Sequence, residues 1–352
     1  MTAASRIRTL LATRPRRVLA GAVAAVAVAA VAALVVLTGD GDDQDRAQVA
    51  TSTTRPPSPA PLTGLSGDFE GRLDRPALFV KIDNVEEARP HAGLDRADIV
   101  IEEQVEGDLT RLAAVFHSTD ATELGPVRSV RTTDIELVSL FGRLLFASSG
   151  GNASVLPQMQ AADVVDIGHN VSGEGFERQD GRQAPHNLFT STPELYAKAP
   201  ESPPPPRPVF SYLPDGGAPP ATAVPVGGVA LRFGADEVAR FTWDGASGTW
   251  PRAQRGTPHL LTTGDQLAPV NVVVMEIAYD LSGQLGRSVP HGVVTGEGRA
   301  AVLTQGHVVE GTWSRATPAE PLRLVDADGK EIALTPGQTF VELPPPGGWD
   351  LL

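Results

Sequence analysis

The chain has 352 residues, 41% of them hydrophobic, enough for sizeable cores, and its 36 glycines and 31 prolines demand many turns. Its formal charge of −13, from 42 acidic against 29 basic residues, argues against nucleic acid as a partner, because phosphate-backbone binding needs clustered positive charge. Cysteine is absent, which excludes a disulfide framework, a thiol nucleophile and a lipid-bearing cysteine.

At the N-terminus, Arg6, Arg8, Arg14, Arg16 and Arg17 form a basic tail with no acid among residues 1–17. The apolar run 18–37 follows. At about 1.5 Å per residue it spans roughly the 30 Å of a hydrocarbon core. Asp40, Asp42, Asp43 and Asp45 come next. This asymmetry predicts one N-terminal transmembrane helix, with the tail cytoplasmic and the bulk extracytoplasmic in the cell membrane. A cleaved signal peptide is the alternative, but its apolar region is normally about 7–15 residues and closes on a small-x-small site. Here the run ends Leu37-Thr38-Gly39-Asp40.

Residues 38–61, rich in Thr, Ser, Pro and Asp, cannot bury a core and read as a disordered stalk. Residues 62–199 alternate strand-like and helix-like patterns, predicting an α/β (or α+β) first domain. Its strands are Ala77 to Ile82, Ile99 towards Val105, Leu109 to Phe116, Leu144 to Ala147 and Val164 to Ile167. Its helices begin near Thr132–Asp134 and near Ser154. The proline run 200–208 is a polyproline-type linker. Residues 209–346 carry short strands separated by turns such as Asp244-Gly245 and Asp328-Gly329, predicting a mainly-β second domain. Residues 347–352 read as a terminal tail.

The chemistry concentrates in the segment Gly125-Pro126-Val127-Arg128-Ser129-Val130-Arg131-Thr132-Thr133-Asp134, with Arg111 one strand earlier. Arginine's planar fork donates paired hydrogen bonds to phosphate or carboxylate and stays charged when partly desolvated. A helix start adds backbone N–H groups, and the turn Gly150-Gly151-Asn152 offers more. Arg111, Arg128, Arg131, Gly150, Gly151 and Asn152 are therefore the candidate anion ligands. The competing reading has the arginines paired internally with Glu102, Glu103 and Glu106.

Asp83, Glu102 and Glu103 are the candidate carboxylates for a base or a metal, with capping of turns as the plainer role. His186, within Pro185-His186-Asn187, is a candidate general acid or a structural histidine. The other histidines, His91, His117, His169, His259, His291 and His307, show no zinc-ligand spacing, so no metal site is expected. No P-loop, dinucleotide fingerprint or serine-nucleophile elbow is present.

A set of short strings carries a resemblance. In the first half they are Pro61-Leu62-Thr63-Gly64, Lys81-Ile82-Asp83-Asn84, Arg89-Pro90, Glu102-Glu103, Thr110-Arg111, Gly125 to Ser129, Gly150-Gly151 and His186-Asn187-Leu188. In the second they are Gly256-Thr257-Pro258-His259, Asn271 to Val274, Gly296-Glu297-Gly298 and Gly311 to Arg315. Together, over residues 61–343, they resemble the YerB-like lipoprotein family. That resemblance implies a two-domain bacterial envelope protein of unknown function, tethered here by its apolar span in place of a lipidated cysteine. More distantly, the order of strand, Thr-Arg, Arg-Ser-x-Arg and Gly-Gly turn is similar to the LytR-CpsA-Psr phosphotransferases. That likeness implies a polyprenyl-phosphate or other anionic wall ligand and, for catalysis, Mg²⁺. The chain departs from it in lacking an Arg-Asp-Thr motif; Arg131-Thr132-Thr133-Asp134 has the residue types in another order. Three functions follow as expectations: an anion-binding envelope protein, such a phosphotransferase, or a non-catalytic scaffold for an unidentified protein partner.

Overall fold

Strand-forming runs rich in Val, Ile, Leu and Phe dominate both halves, and the computed structural model, which describes residues 59–234, 237–282 and 289–352, is accordingly mostly β. The first half supplies β1 (Leu78–Asp83), β2 (Ile99–Val105), β3 (Leu109–Phe116), β4 (Leu144–Ala147), β5 (Val164–Asp166), β6 (Glu177–Arg178) and β7 (Leu188–Phe189). Next come β8 (Val224–Pro225), β9 (Gly228–Arg232), β10 (Glu237–Thr242), β11 (Arg252–Gln254), β12 (Thr257–Pro258) and β13 (Asn271–Met275). The chain closes with β14 (Ala278–Asp280), β15 (His291–Val293), β16 (Gly296–Thr304), β17 (His307–Arg315), β18 (Arg323–Asp326), β19 (Thr339–Glu342) and β20 (Trp349–Leu351).

Eleven strands form one sheet in the order β18-β17-β16-β13-β19-β2-β3-β1-β4-β5, with β8 attached to β17. The halves on either side of the proline run share this sheet: β19 lies parallel to β2, in register from Thr339 against Ile99 to Glu342 against Glu102. A second sheet, β12-β11-β10-β9-β20, comes from the second half. Both cores draw on both halves. One face of the long sheet packs Val80, Ile82, Val100 and Leu112 with Phe241, Trp250, Val274 and Phe340. The other packs Phe79, Ile101, Val115 and Phe146 with Val273, Val302 and Trp313. Each such side chain contributes about 1.5–3 kcal/mol by leaving water, so the shared cores bind the halves together.

Helix is scarcer than the alternating pattern predicts. The described α-helices are Thr132–Leu137, Val155–Ala161 and Thr192–Ala197. The α/β layering is thus confined to the parallel strands β1, β4 and β5 and the helices between them. β2 and β3 instead form an antiparallel pair. The tail also needs correction: Trp349–Leu351 is a strand paired with β9, and Trp349 is buried. Its terminal place and the preceding Pro344-Pro345-Pro346-Gly347-Gly348 masked the alternation of Trp349 and Leu351. The basic tail, the span 18–37 and the stalk up to residue 58 lie outside the described residues. Among the described residues no helix is long and apolar enough to cross a membrane.

Candidate functional site

The arginine segment is an extended strap that runs into a helix, with Arg131 at the N-cap of Thr132–Leu137 as expected and Arg128 on the strap before it. Ala92 and Gly125 exchange backbone bonds, Asp83 N–H donates to Pro126 O, Val127 N–H to Leu188 O and Arg128 N–H to Lys81 O. Val130 N–H donates to Gly150 O. Val127 and Val130 turn inward and are buried, which sends Arg128 and Arg131 outward from the strap. Gly125 sits at φ 156°, where a Cβ would come within 2.8 Å of the Phe189 ring, so the strap can lie against β7 only with glycine there. The helix that follows is capped internally, since the Asp134 carboxylate accepts the Arg131 N–H at 2.7 Å.

The strap, the ends of β1–β3 and the loop before β7 enclose an open cleft of about 590 Å³ lined by Arg111, Arg128, Arg131, Asp83, Glu106 and His186, among others. Three of the predicted anion ligands and two of the predicted acid–base groups therefore converge. Asp83 is the hub: its buried carboxylate accepts from Arg128 Nε at 3.0 Å and faces His186 Nδ1 at 2.7 Å. The Asn84 N–H donates to its other oxygen. With Nδ1–H directed at Asp83, His186 keeps Nε2 as a free acceptor. Arg131 Nε donates to Glu106 at 2.7 Å. Burial raises the Glu106 carboxyl, but the Arg131 hydrogen bond and the Arg131 and Arg111 charges outweigh it and hold it below its ordinary value.

Arg111 differs from its neighbours. Only 8% exposed, it donates from Nη1 to Ser129 O at 2.9 Å and has no carboxylate within salt-bridge distance among the described residues. Burial, and then the charges of Arg131 and Arg128, pull its pKa down to about 10 despite Asp83 and Glu106 nearby. It remains a cation at neutral pH. The internal-pairing expectation thus holds for Arg131 with Glu106; Arg128 also pairs internally, but with Asp83 in place of a glutamate, and Arg111 forms no such pair among the described residues.

Glu102 and Glu103 do not reach the cleft. Successive residues of β2, they fall on opposite faces of the sheet, each fully buried. Glu103 pairs with Lys81, which also donates to Asp134 at 2.8 Å. Burial and the Asp134 carboxylate raise the Glu103 pKa against the pull of Lys81. Glu102 pairs with Arg252 and accepts from Asn84 and Thr110. Beside it, Glu342 is held well above the ordinary carboxylate range, by burial first and the Glu102 charge second.

Arg252 also donates to His259 Nδ1, His259 Nε2 lies 2.7 Å from His91 Nδ1, and His91 Nε2 lies 2.6 Å from Asp83 O. Because Arg252 can only donate, His259 carries its proton on Nε2 and His91 likewise, giving a neutral relay that ends at the backbone of Asp83. Burial lowers His91 to about 4 and drives His259 well below its ordinary value. The sequence read these histidines as scattered. They are 168 positions apart, and no local pattern could have paired them.

Gly150, Gly151 and Asn152 lie outside the cleft lining. A Cβ on Gly151 would meet Leu156 and Val130 at 2.8 Å, and Asn152 Oδ1 accepts from the N–H groups of Ser154 and Val155. Their roles are close packing and a helix start. Nor does Arg131-Thr132-Thr133-Asp134 present a free aspartate, because Asp134 is buried on Lys81. Among the described residues no three His, Asp or Glu side chains converge as a metal site.

Two further cavities adjoin the cleft. One of about 440 Å³ shares Val85, Glu87, Leu109 and Thr110 with it and adds Asn84, Arg89, Gln254 and Arg255. The next, about 370 Å³, shares Glu86, Arg89 and Arg255 and adds Pro90, Pro258, Leu260 and Leu261. These residues come from both halves of the chain, and no sequence signal marked them as a group.

Known proteins share this fold. Residues 62–204 match the family described as protein of unknown function (DUF3048) N-terminal domain, and residues 229–341 match its C-terminal domain. A relative from Bacillus subtilis (strain 168), named "Putative lipoprotein YerB", is 29% identical over 304 residues, covering 81% of this chain and 86% of that protein. The crystal structure of YerB protein from Bacillus subtilis superposes with a TM-score of 0.69 at 25% identity, covering 84% of this chain and 99% of that one. With both domains matched in order and the fold shared along nearly the full length of YerB, the chain belongs to the YerB-like, DUF3048 family.

Proposed function

We propose that this protein is a membrane-anchored, extracytoplasmic envelope protein that binds an anionic envelope ligand in the cleft of Arg111, Arg128 and Arg131. The address rests on the basic tail, apolar run and acidic flank of the sequence, together with the lipoprotein name of its Bacillus relative. One observation carries the ligand: Arg111 is a nearly buried guanidinium beside the charges of Arg131 and Arg128, and among the described residues its side-chain hydrogen bond goes to a backbone oxygen, Ser129 O, and to no carboxylate. A desolvated cation beside like charges is costly unless an anion completes it. A phosphate or pyrophosphate group suits the paired donors of a guanidinium fork.

Titration calorimetry with pyrophosphate tests this. Arg111→Lys and Arg128→Ala should each weaken binding by roughly tenfold or more, as expected for charged hydrogen bonds of about 1.5–3 kcal/mol. Equal affinity in wild type and both variants, or no binding at all, would leave the scaffold role.

A second reading, phosphoryl transfer on a polyprenyl pyrophosphate, is favoured by one specific contact. Asp83 orients His186 so that Nε2 can take a proton from an attacking water or acceptor hydroxyl as its oxygen bonds to the terminal phosphorus. The P–O–P bridge breaks to release polyprenyl phosphate, while the arginines meet charge developing on the transferred phosphoryl group. With water as acceptor the product is phosphate. Phosphate release from polyprenyl pyrophosphate with Mg²⁺, lost in His186→Ala, would establish it. Binding without turnover would leave the first reading alone.

A further inference from the structure

We infer that the groove takes a linear polyanion, carrying anionic groups at intervals, rather than a single anion, and that Arg89 and Arg255 form its second cationic subsite. This rests on the anion-binding reading of the Arg111 cleft.

The first support is continuity. The Arg111 cleft shares four lining residues with the middle cavity, and the middle cavity shares Glu86, Arg89 and Arg255 with the last. A ligand longer than one anionic group has an unbroken path from Arg131 to Leu261.

The second support is a matching deficit at the far end. Arg89 is half-buried, its Nε is buried without a partner, and among the described residues its guanidinium makes no hydrogen bond or ion pair. It lies on the wall of the middle and last cavities. Arg255 is exposed and held at a φ of 48°, and its hydrogen bond is a long one to Asp108 O at 3.5 Å. Incompletely satisfied guanidinium groups thus line one groove at two places, Arg111 at one and Arg89 with Arg255 at the other, and the second draws on both halves of the chain. The acids on the same walls are Asp83 and Glu106, which are engaged with Arg128 and Arg131, and Glu86 and Glu87, which stand exposed on the rim.

The third support is the stretch between the poles. Asn84, Thr110 and Gln254 line it as a nearly buried, uncharged wall, with Asn84 and Thr110 bonded inward to Glu102, where the backbone or sugar of a polymer would lie. Beyond them, Pro90, Pro258, Leu260 and Leu261 make the last cavity partly apolar. A single phosphate would leave all of this unused.

The test measures binding of pyrophosphate, linear polyphosphate and a linear oligogalacturonate to the full-length protein, in wild type and in Arg255→Ala and Arg89→Gln. Arg255 is exposed, so its variant leaves the fold undisturbed, and thermal unfolding checks the Arg89 variant. Polyphosphate should bind roughly tenfold or more tightly than pyrophosphate, the worth of at least one added charged contact. Both variants should remove that gain and leave pyrophosphate binding unchanged. A gain with the uronate polymer as well, or instead, supports the polyanion and identifies carboxylate as the group recognised. Affinity independent of length, or a gain that survives both variants, overturns the extended groove while leaving the Arg111 site standing. Absence of pyrophosphate binding that depends on Arg111 overturns the underlying reading instead.

Discussion

Replacing Arg252 with methionine would test how the two halves are held together. Arg252 and Glu102 are both 0% exposed, and the pair crosses from the second half to the first. Methionine refills much of the volume, so the loss is mainly electrostatic: Glu102 is stranded beside Glu342, and His259 loses its donor. Removing one partner of a buried ion pair costs about 3–5 kcal/mol. Arg252→Met should therefore lose roughly 3–5 kcal/mol by urea unfolding. Adding Glu102→Gln removes the stranded charge and should restore at least about 1 kcal/mol. A loss below about 1 kcal/mol, or a double variant as unstable as the single one, would refute the reasoning that this pair locks the halves.

Three other outcomes follow from the packing. His91 has its pKa lowered from 6.5 to about 4, so the folded state binds fewer protons than the unfolded one in that window, and the stability it contributes is full above pH 6.5 and lost as pH falls through 4. Between pH 7 and pH 4 wild type should lose about 3 kcal/mol more than His91→Asn in denaturant titrations. Trp349→Ala should destabilise by about 3–5 kcal/mol, since Trp349 is buried on β20, stacks under Arg299 and donates to Glu276; circular-dichroism melting measures it. Gly125→Ala should cost about 1–3 kcal/mol, because its Cβ would press on Phe189 and Leu188 O at a positive φ, and urea unfolding checks it.

Much of the strand content was legible because it rests on local patterns. β16 and β17, for example, announce themselves through apolar residues and the Gln305-Gly306 turn between them. The pairing of β19 with β2 was not legible. It joins strands more than two hundred residues apart, and nothing in either strand's own pattern selects the other. At the site, arginine on a strongly acidic chain drew attention to Arg111, Arg128 and Arg131, and the cleft contains all three. Asp83 and His186 were found for a similar reason, as a carboxylate at a strand end and a histidine after a charged loop. Glu102 and Glu103 carried the same sequence signal, but strand alternation at full burial sends them to opposite cores. The strap misled because an arginine before Thr-Thr-Asp looks like an open helix start, whereas Asp134 closes it.

The most direct measurement of the central claim is a crystal structure of the protein grown with saturating pyrophosphate. The account predicts a phosphoryl group in the cleft within hydrogen-bond distance of Arg111 and of Arg128 or Arg131. A cleft holding only solvent, or an Arg111 side chain turned away onto Glu106 or Asp83, would contradict it.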